Sequence, residues 1–203
     1  MKAFPILYLL LSASLILASC TASRSLDREE TLPGGVFGEM DSTYLFRASI
    51  KAMKRNFSSL VLVKLAEDEG NAHIVFLSEL GPNLLELRYA NDEFQVVKVQ
   101  EFLNRKSLIR MMENDFRSLL LDLHDIDRYS ISPYGEMEKV LKFRHRSQKY
   151  AYYYKEGSTV SRIRRRPGIF HKVDVCIERM NGLTISFRHS GIRMTMKLKQ
   201  IVL

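Results

Sequence analysis

The chain of 203 residues has no tryptophan, two cysteines, and only one long apolar run, at its start. Because no second apolar run follows residue 17, no stop-transfer segment is expected after it. The two cysteines, Cys20 and Cys176, are too few for a disulfide-rich scaffold. The sequence also lacks a Gly-x-Ser-x-Gly motif and any zinc-ligand spacing. We therefore predict a non-enzymatic protein without cofactor or metal.

The first twenty residues have the pattern of an export signal. Lys2 supplies a positive start, and residues 4–17 form an apolar stretch of 14 residues. A membrane-spanning helix needs about 20 apolar residues, so this stretch is too short to span. Ala18 and Ser19 are small, as a signal peptidase requires before its cleavage site. We predict residues 1–19 as a signal peptide.

The four residues Leu17-Ala18-Ser19-Cys20 resemble the lipobox of bacterial lipoproteins at every position. The resemblance implies cleavage before Cys20 and acylation of its thiol and amine. Several acyl chains anchor a protein stably, whereas a single chain binds a membrane marginally. Thr21 in the next position favours sorting to the outer membrane. The alternative is an ordinary secretory signal with an incidental cysteine.

The remaining 184 residues carry a formal charge of +7 and are enough for one domain with a core. Residues 20–41 are polar and turn-rich, which predicts a flexible tether between the lipidated Cys20 and a domain at 42–203. The basic balance suggests nucleic acid, but the export signal argues against it. Anionic lipid head groups, acidic partners or simply a soluble basic surface remain as explanations.

From Tyr44 onward, apolar and polar residues alternate in short runs separated by turn residues, which is typical of antiparallel strands. We count about eleven strands, five before a helix at 104–121 and six after it. Asn104 is a candidate helix cap, and the stretch up to residue 135 is expected to be a loop or short helix. Turns this short require an antiparallel meander. The prediction is a mainly β (α+β) fold, a curved open sheet or half-barrel whose helical lid leaves an apolar trough.

This order of elements resembles the periplasmic lipoprotein-carrier family of the LolA/LolB type. The resemblance covers roughly residues 42–202 and is carried by "SSLVLVKL", "LSELGPNLLEL", "LIRMMENDFRSLLL" and "GLTISFRHSGIRMTMKLKQI". It implies an outer-membrane lipoprotein on the periplasmic face that holds acyl chains of lipoproteins or lipids. In the membrane-bound relative an exposed leucine on an early loop touches the membrane, which here implies Leu80, Leu84 or Leu85. The tryptophan-containing N-terminal strand of that relative has no match, since this chain has no tryptophan.

Apolar residues near the end of the chain and on the helix are the candidates for lining such a trough. Methionine is flexible and polarisable, which suits it to adaptable apolar contacts. The same pattern is equally expected of an ordinary sheet core. The candidate lining residues are Phe116, Ile185, Phe187, Ile192, Met194, Met196 and Leu198.

Two polar patterns allow more than one reading. Arg162, Arg164 and Arg166 share one strand face, and they fit either contact with anionic head groups or a charged edge strand. Tyr150, Tyr152 and Tyr154 also alternate. They fit either an interfacial belt or cross-strand packing.

The sequence thus leaves two functions open. The first is a lipid-anchored carrier of acyl chains that helps to place lipoproteins or lipids in the membrane. The second is a non-enzymatic accessory lipoprotein that docks onto a larger envelope complex.

Overall fold

The computed structural model describes residues 34–38, 42–52, 55–66, 71–123, 126–135, 138–155, 159–168 and 171–202. The chain divides into two units, Met1–Glu30 and Thr31–Leu203, and every described residue belongs to the second unit. The predicted acylation at Cys20 therefore lies outside the described residues. Within those ranges, no helix combines the length and the apolar character that a membrane span requires.

The described residues form twelve strands and one α-helix. Before the helix come β1 (Thr43–Ala52), β2 (Arg55–Leu65), β3 (Ala72–Leu77), β4 (Asn83–Ala90) and β5 (Glu93–Val99). A 3-10 turn, Glu101–Leu103, then precedes α1 (Lys106–Leu120). After the helix come β6 (Tyr129–Pro133), β7 (Glu138–His145), β8 (Gln148–Lys155), β9 (Thr159–Arg166), β10 (Lys172–Glu178), β11 (Thr184–Ser190) and β12 (Met194–Gln200). The predicted mainly β fold with one helix is confirmed.

All twelve strands belong to one open antiparallel sheet, as the short turns predicted. The order is β5-β4-β3-β2-β1-β12-β11-β10-β9-β8-β7-β6, so β5 and β6 are the edges. Strands consecutive in the chain pair with each other except β5 and β6, which α1 separates, and the first and last strands meet in the middle, where Ala48 lies opposite Leu198. The turn between β4 and β5 contains only Asn91 and Asp92, both with positive φ, which suits the right-handed twist of the hairpin.

The sheet curves around α1, which we deduce from the helix contacts. The ring of Phe116 on α1 lies 5.7 Å from that of Phe76 on β3. The backbone oxygen of Ser118 accepts a hydrogen bond of 2.7 Å from the hydroxyl of Tyr152 on β8. Strands β3 and β8 are seven positions apart, which in a flat sheet corresponds to about 34 Å. A helix is only about 10 Å wide, so the sheet must bend to touch it from both halves. We call the side that faces α1 the concave face.

The strand count exceeds the prediction by one because β6 was expected to be a loop or short helix. This strand has five residues, pairs only with β7, and places Ile131 opposite Leu141. It ends at Pro133, and proline is tolerated on an edge strand because no neighbour needs its missing N–H. A run this short gives too little alternation for the sequence to identify.

Two predicted boundaries also shift. The helix begins at Lys106 rather than at residue 104, since Asn104 closes the preceding 3-10 turn by donating its N–H to the oxygen of Glu101. Asn104 is therefore not the helix cap. Residues 34–38, inside the predicted tether, belong to the folded part: Val36 is buried in the core, and its oxygen accepts a hydrogen bond of 2.7 Å from Arg179.

Candidate functional site on the concave face

Six of the seven predicted lining residues lie together on the concave face or on the helix that covers it. Strand register places Phe187 opposite Met196 and Ile185 opposite Leu198, which forms a continuous apolar band across β11 and β12. All six are 4% exposed or less: Phe116, Ile185, Phe187, Met194, Met196 and Leu198.

The seventh residue, Ile192, does not share this face. It lies in the turn between β11 and β12 and is half exposed. The turn begins at Gly191, whose φ of +93° is a left-handed conformation that glycine adopts without strain. Because β12 starts only at Met194, the alternation that the sequence shows through residue 192 does not correspond to one strand.

The helix covers the apolar band with its C-terminal half. Residues 115–119 are all buried, so this part of α1 is enclosed within the folded chain. Phe116 meets Phe76 edge to ring, a favourable aromatic geometry. In this state the predicted trough is therefore occupied by side chains of the protein itself.

A buried charged cluster joins α1 to strands β9 and β11, in the half of the sheet that runs from β12 to β6. Asp115 of α1 is fully buried, and its Oδ1 accepts a hydrogen bond of 2.6 Å from Nη2 of Arg165 on β9. On β11, Nε2 of His189 lies 3.1 Å from Oδ1 and 2.9 Å from Oδ2 of the same carboxylate. Arg165 and His189 are buried as well. Because an unpaired buried charge is costly, this cluster determines where α1 can sit on the sheet.

Neutral polar groups extend the cluster along the helix. Arg165 donates through Nη1 to Oε1 of Gln148 at 3.1 Å, and Gln148 donates through Nε2 to Oδ1 of Asn114 at 3.1 Å. With the bond from Tyr152 to the oxygen of Ser118, three positions of α1 are tied to β8 and β9 by hydrogen bonds. We call these contacts, together with the charged cluster, the helix latch.

Sequence reasoning missed the helix latch, although the sequence contains a signal for it. Asp115 lies three residues after Met112 and four before Leu119, which places it on the apolar stripe of the helix rather than on a solvated face. Strand alternation that turns Arg164 outward must turn Arg165 inward. A carboxylate and a guanidinium that are both directed into a core are expected to pair.

Three of the four tyrosines of β8, Tyr150, Tyr152 and Tyr154, lie inside the concave face, where they pack against neighbours. Tyr150 stacks on Phe143 with ring centroids 5.2 Å apart, which supports cross-strand packing rather than an interfacial belt. Burial raises the pKa of Tyr150, Tyr152 and Tyr154, so all three phenols stay protonated. The hydroxyls of Tyr150 and Tyr154 are buried and have no hydrogen-bond partner within the described part of the chain. Such donors are expected to be satisfied by a water or a ligand oxygen.

A second polar contact joins turns from the two halves of the sheet. Asp92, between β4 and β5, is 2.8 Å from Nε2 of His145 and accepts a hydrogen bond from Nε of Arg146, in the turn after β7. Burial opposes ionisation of Asp92, but hydrogen bonds from Arg146, His145 and Tyr89 outweigh it and lower the pKa of this carboxyl. The contact helps to hold the sheet in its curved form.

The three leucines predicted to contact the membrane occupy different environments. Leu80 lies in the turn between β3 and β4 and is 95% exposed, whereas Leu84 is half-buried and Leu85 is in the core. The turn is ordered by hydrogen bonds from Gly81 N–H to Ser78 oxygen at 3.0 Å and from Leu80 N–H to Ser78 Oγ at 3.2 Å. Of the three, Leu80 is therefore the one that projects from the sheet.

Comparison with known proteins adds no assignment: no protein-family model and no curated protein matches this chain.

Proposed function

We propose that this protein is an outer-membrane lipoprotein, acylated at Cys20 and facing the periplasm, that binds acyl chains of lipoproteins or lipids on its concave face. In this role it assists the placement of those molecules in the membrane. The observation that carries the proposal is the single apolar face of an open twelve-stranded sheet, over which the described part of the chain places one helix. Each acyl methylene buried on such a face contributes about 0.8 kcal/mol.

Acyl binding on this face requires α1 to move, because the apolar band is covered in the present state. The described residues contain one α-helix, α1, and its displacement would expose the band without breaking strand pairs, while Val36, Leu121 and Leu123 also pack in the same core. The hydroxyls of Tyr150 and Tyr154, which have no hydrogen-bond partner among the described residues, would then offer hydrogen bonds to ester oxygens of a lipid.

Leu80 supports the membrane part of the proposal. A leucine that is 95% exposed on an ordered turn loses nothing by entering a bilayer, since it makes few contacts in the protein. Its burial in lipid would contribute roughly 1.5–3 kcal/mol to membrane association.

The second candidate function is an accessory lipoprotein that docks onto a larger envelope complex without carrying lipid. One observation favours it: six of the predicted lining residues are already buried by the protein's own helix. If α1 never leaves the sheet, the apolar band is simply the core.

Photolabelling with a diazirine-bearing fatty acid distinguishes the two functions. The full chain carrying Cys20→Ala would be used, so that the label reports binding rather than its own anchor. The carrier function predicts labelled peptides from β11 and β12, and competition by unlabelled fatty acid. Labelling that is absent, or that is confined to exposed residues such as Met180, supports the docking function instead.

Two matched pairs of variants test the anchor and the membrane contact. Incorporation of radioactive palmitate in bacterial cells should be lost in Cys20→Ala and retained in Cys176→Ala, since these are the two cysteines of the chain. Leu80→Glu should weaken delivery of the acylated cargo to vesicles. Met180→Glu, at a residue 93% exposed on the other half of the sheet, should not. Equal effects of the two substitutions would contradict a role for Leu80.

A further inference from the structure

On their outward side, five neighbouring strands of the sheet carry an excess of positive charge that is nearly as large as the net charge of the whole chain. The outward side chains of β9 to β12 and β1 include nine of the chain's 31 lysines and arginines but only two of its 23 acidic residues. This face therefore carries +7 of the formal +8, and the rest of the chain, with 22 basic and 21 acidic residues, is almost neutral. We call it the basic face. Strands β1 and β9 contribute Arg47, Lys51, Arg162, Arg164 and Arg166. Strands β10 to β12 contribute Lys172, Arg188, Lys197 and Lys199.

Strand register arranges these charges as an array rather than a pocket. Arg164, Asp174 and Arg188 lie side by side on β9, β10 and β11. A second row lies two residues along each strand from the first. It begins at Arg162 on β9, crosses β10 and β11, and ends at Lys197 on β12. With neighbouring strands about 4.8 Å apart, the five strands span about 19 Å. An array of this width is suited to an extended anionic surface rather than to one small anion.

The acidic residues of the basic face neutralise little of it. One carboxylate, Asp174, is shared by three cations: Arg162 at 3.0 Å, Arg164 at 3.2 Å and Lys172 at 2.8 Å. Both guanidinium groups also lie within 6 Å of the ring of Tyr153, at 5.9 and 5.6 Å. These contacts hold the arginines in place and leave an excess of positive charge, so ordering them on binding costs little entropy.

We propose that the basic face docks the domain onto the anionic head groups of a lipid bilayer. The choice of a bilayer over another polyanion rests on the proposed lipid anchor. Gly34, the first described residue, lies 14 positions after Cys20 in the sequence, and covalent geometry limits the distance between the two to about 50 Å. A domain held this close to a membrane encounters the charged membrane surface before it encounters any soluble partner. The positive basic face and the anionic membrane surface are complementary in charge.

Vesicle binding by the full chain carrying Cys20→Ser tests the proposal without help from acylation. Affinity should be higher for vesicles of phosphatidylcholine with phosphatidylglycerol than for phosphatidylcholine alone, and this preference should fall as salt is raised. Each basic residue near an anionic surface contributes about fivefold in affinity. The triple variant Arg188→Gln, Lys197→Gln, Lys199→Gln should therefore lose up to about 100-fold of the preference. All three side chains are exposed, so the variant is expected to fold.

A control variant removes the same charge elsewhere. Arg88→Gln, Lys98→Gln and Lys106→Gln lie on β4, β5 and the start of α1, away from the five strands of the basic face, and should change the preference by less than about threefold. Equal losses in the two triple variants would show that net charge alone drives binding, and would overturn the proposal. So would a wild-type chain that binds both kinds of vesicle equally.

The exposed thiol of Cys176, in the second row between Arg162 and Ser186, supplies a footprint that needs no charge variant. In the Cys20→Ser chain it is the sole cysteine, and anionic vesicles should slow its alkylation by a water-soluble maleimide. Gln95→Cys, at an exposed position of β5 in a chain that also carries Cys20→Ser and Cys176→Ser, should react at an unchanged rate. Protection of Cys176 by polyglutamate or an oligonucleotide but not by vesicles would assign the basic face to another polyanion and refute binding to a lipid surface.

Fatty-acid photolabelling of the concave face should persist in the triple variant of the basic face. Failure of this inference is therefore distinguishable from failure of the proposed function.

Discussion

The charged cluster beneath α1 gives the sharpest prediction on stability. In Asp115→Leu, the Arg165 guanidinium stays buried without the carboxylate that now lies 2.6 Å away. Breaking a buried ion pair from one side costs about 3–5 kcal/mol, because the remaining charge is left uncompensated. For a chain of this size, 1 kcal/mol corresponds to about 2–4 °C, so Tm should fall by roughly 6–20 °C.

A double-mutant cycle measured by urea unfolding separates this effect from a general loss of packing. Arg165→Met alone should also cost about 3 kcal/mol, since Asp115 would then face only His189. In the double variant both charges are gone and an apolar pair replaces them, so its cost should be at least about 2 kcal/mol less than the sum of the single costs.

An exposed ion pair supplies the control for this buried one. Glu93→Gln removes a carboxylate from an exposed pair, where Arg146 lies 3.5 Å away, and should change the free energy of unfolding by less than about 1 kcal/mol. If Asp115→Leu costs no more than Glu93→Gln, or if the two single costs simply add, the cluster does not position the helix.

Three further predictions follow from other contacts. Phe116→Ala should lower the free energy of unfolding by about 3–5 kcal/mol in urea titrations, because it removes the fully buried ring between helix and sheet, whereas Phe102→Ala, at an exposed ring, should change it by less than about 0.5 kcal/mol. Tyr152→Phe, which removes the 2.7 Å bond to the Ser118 oxygen, should cost about 1 kcal/mol or somewhat more by the same assay, and no loss would contradict that bond. The pKa of Asp92 is lowered from 3.8 in the folded chain, so its contribution to stability is present above about pH 4 and is lost as pH falls through the folded value. The stability gap between wild type and Asp92→Asn should therefore narrow on acidification, and a gap that is constant from about pH 6 to pH 3 would refute the assignment.

Much of the sheet is predictable from sequence because the alternation of apolar and polar residues within each strand shows which side of that strand is buried. In β12, Met194, Met196 and Leu198 are buried while Lys197 and Lys199 are exposed, as the alternation indicates. The same local reasoning fails at Ile192, where one left-handed glycine ends the strand pattern without interrupting the alternation of residue types.

Contacts between distant parts of the chain were not predictable in this way. Asp92 meets His145 across 53 residues, and Asp115 meets His189 across 74. Both contacts depend on how far the sheet curves and where the helix crosses it. The spacing of apolar residues within one strand or helix contains no information about either quantity. The sequence did place Asp115 and Arg165 on buried faces, which is enough to require partners but not to identify them.

The composition of the helix latch bears on how α1 could leave the sheet. A buried ion cluster contributes little net stability, because the desolvation of its charges nearly cancels their attraction. When α1 moves away, Asp115, Arg165 and His189 regain their hydration together, so the latch itself adds little to the cost of opening. An apolar side chain such as Phe116 does add to that cost, but an acyl chain that takes its place on β11 and β12 would restore the burial. A latch that fixes the position of the helix without strongly resisting its release is what an acyl carrier needs. A protein whose helix was purely structural would gain more from apolar residues at positions 115 and 165.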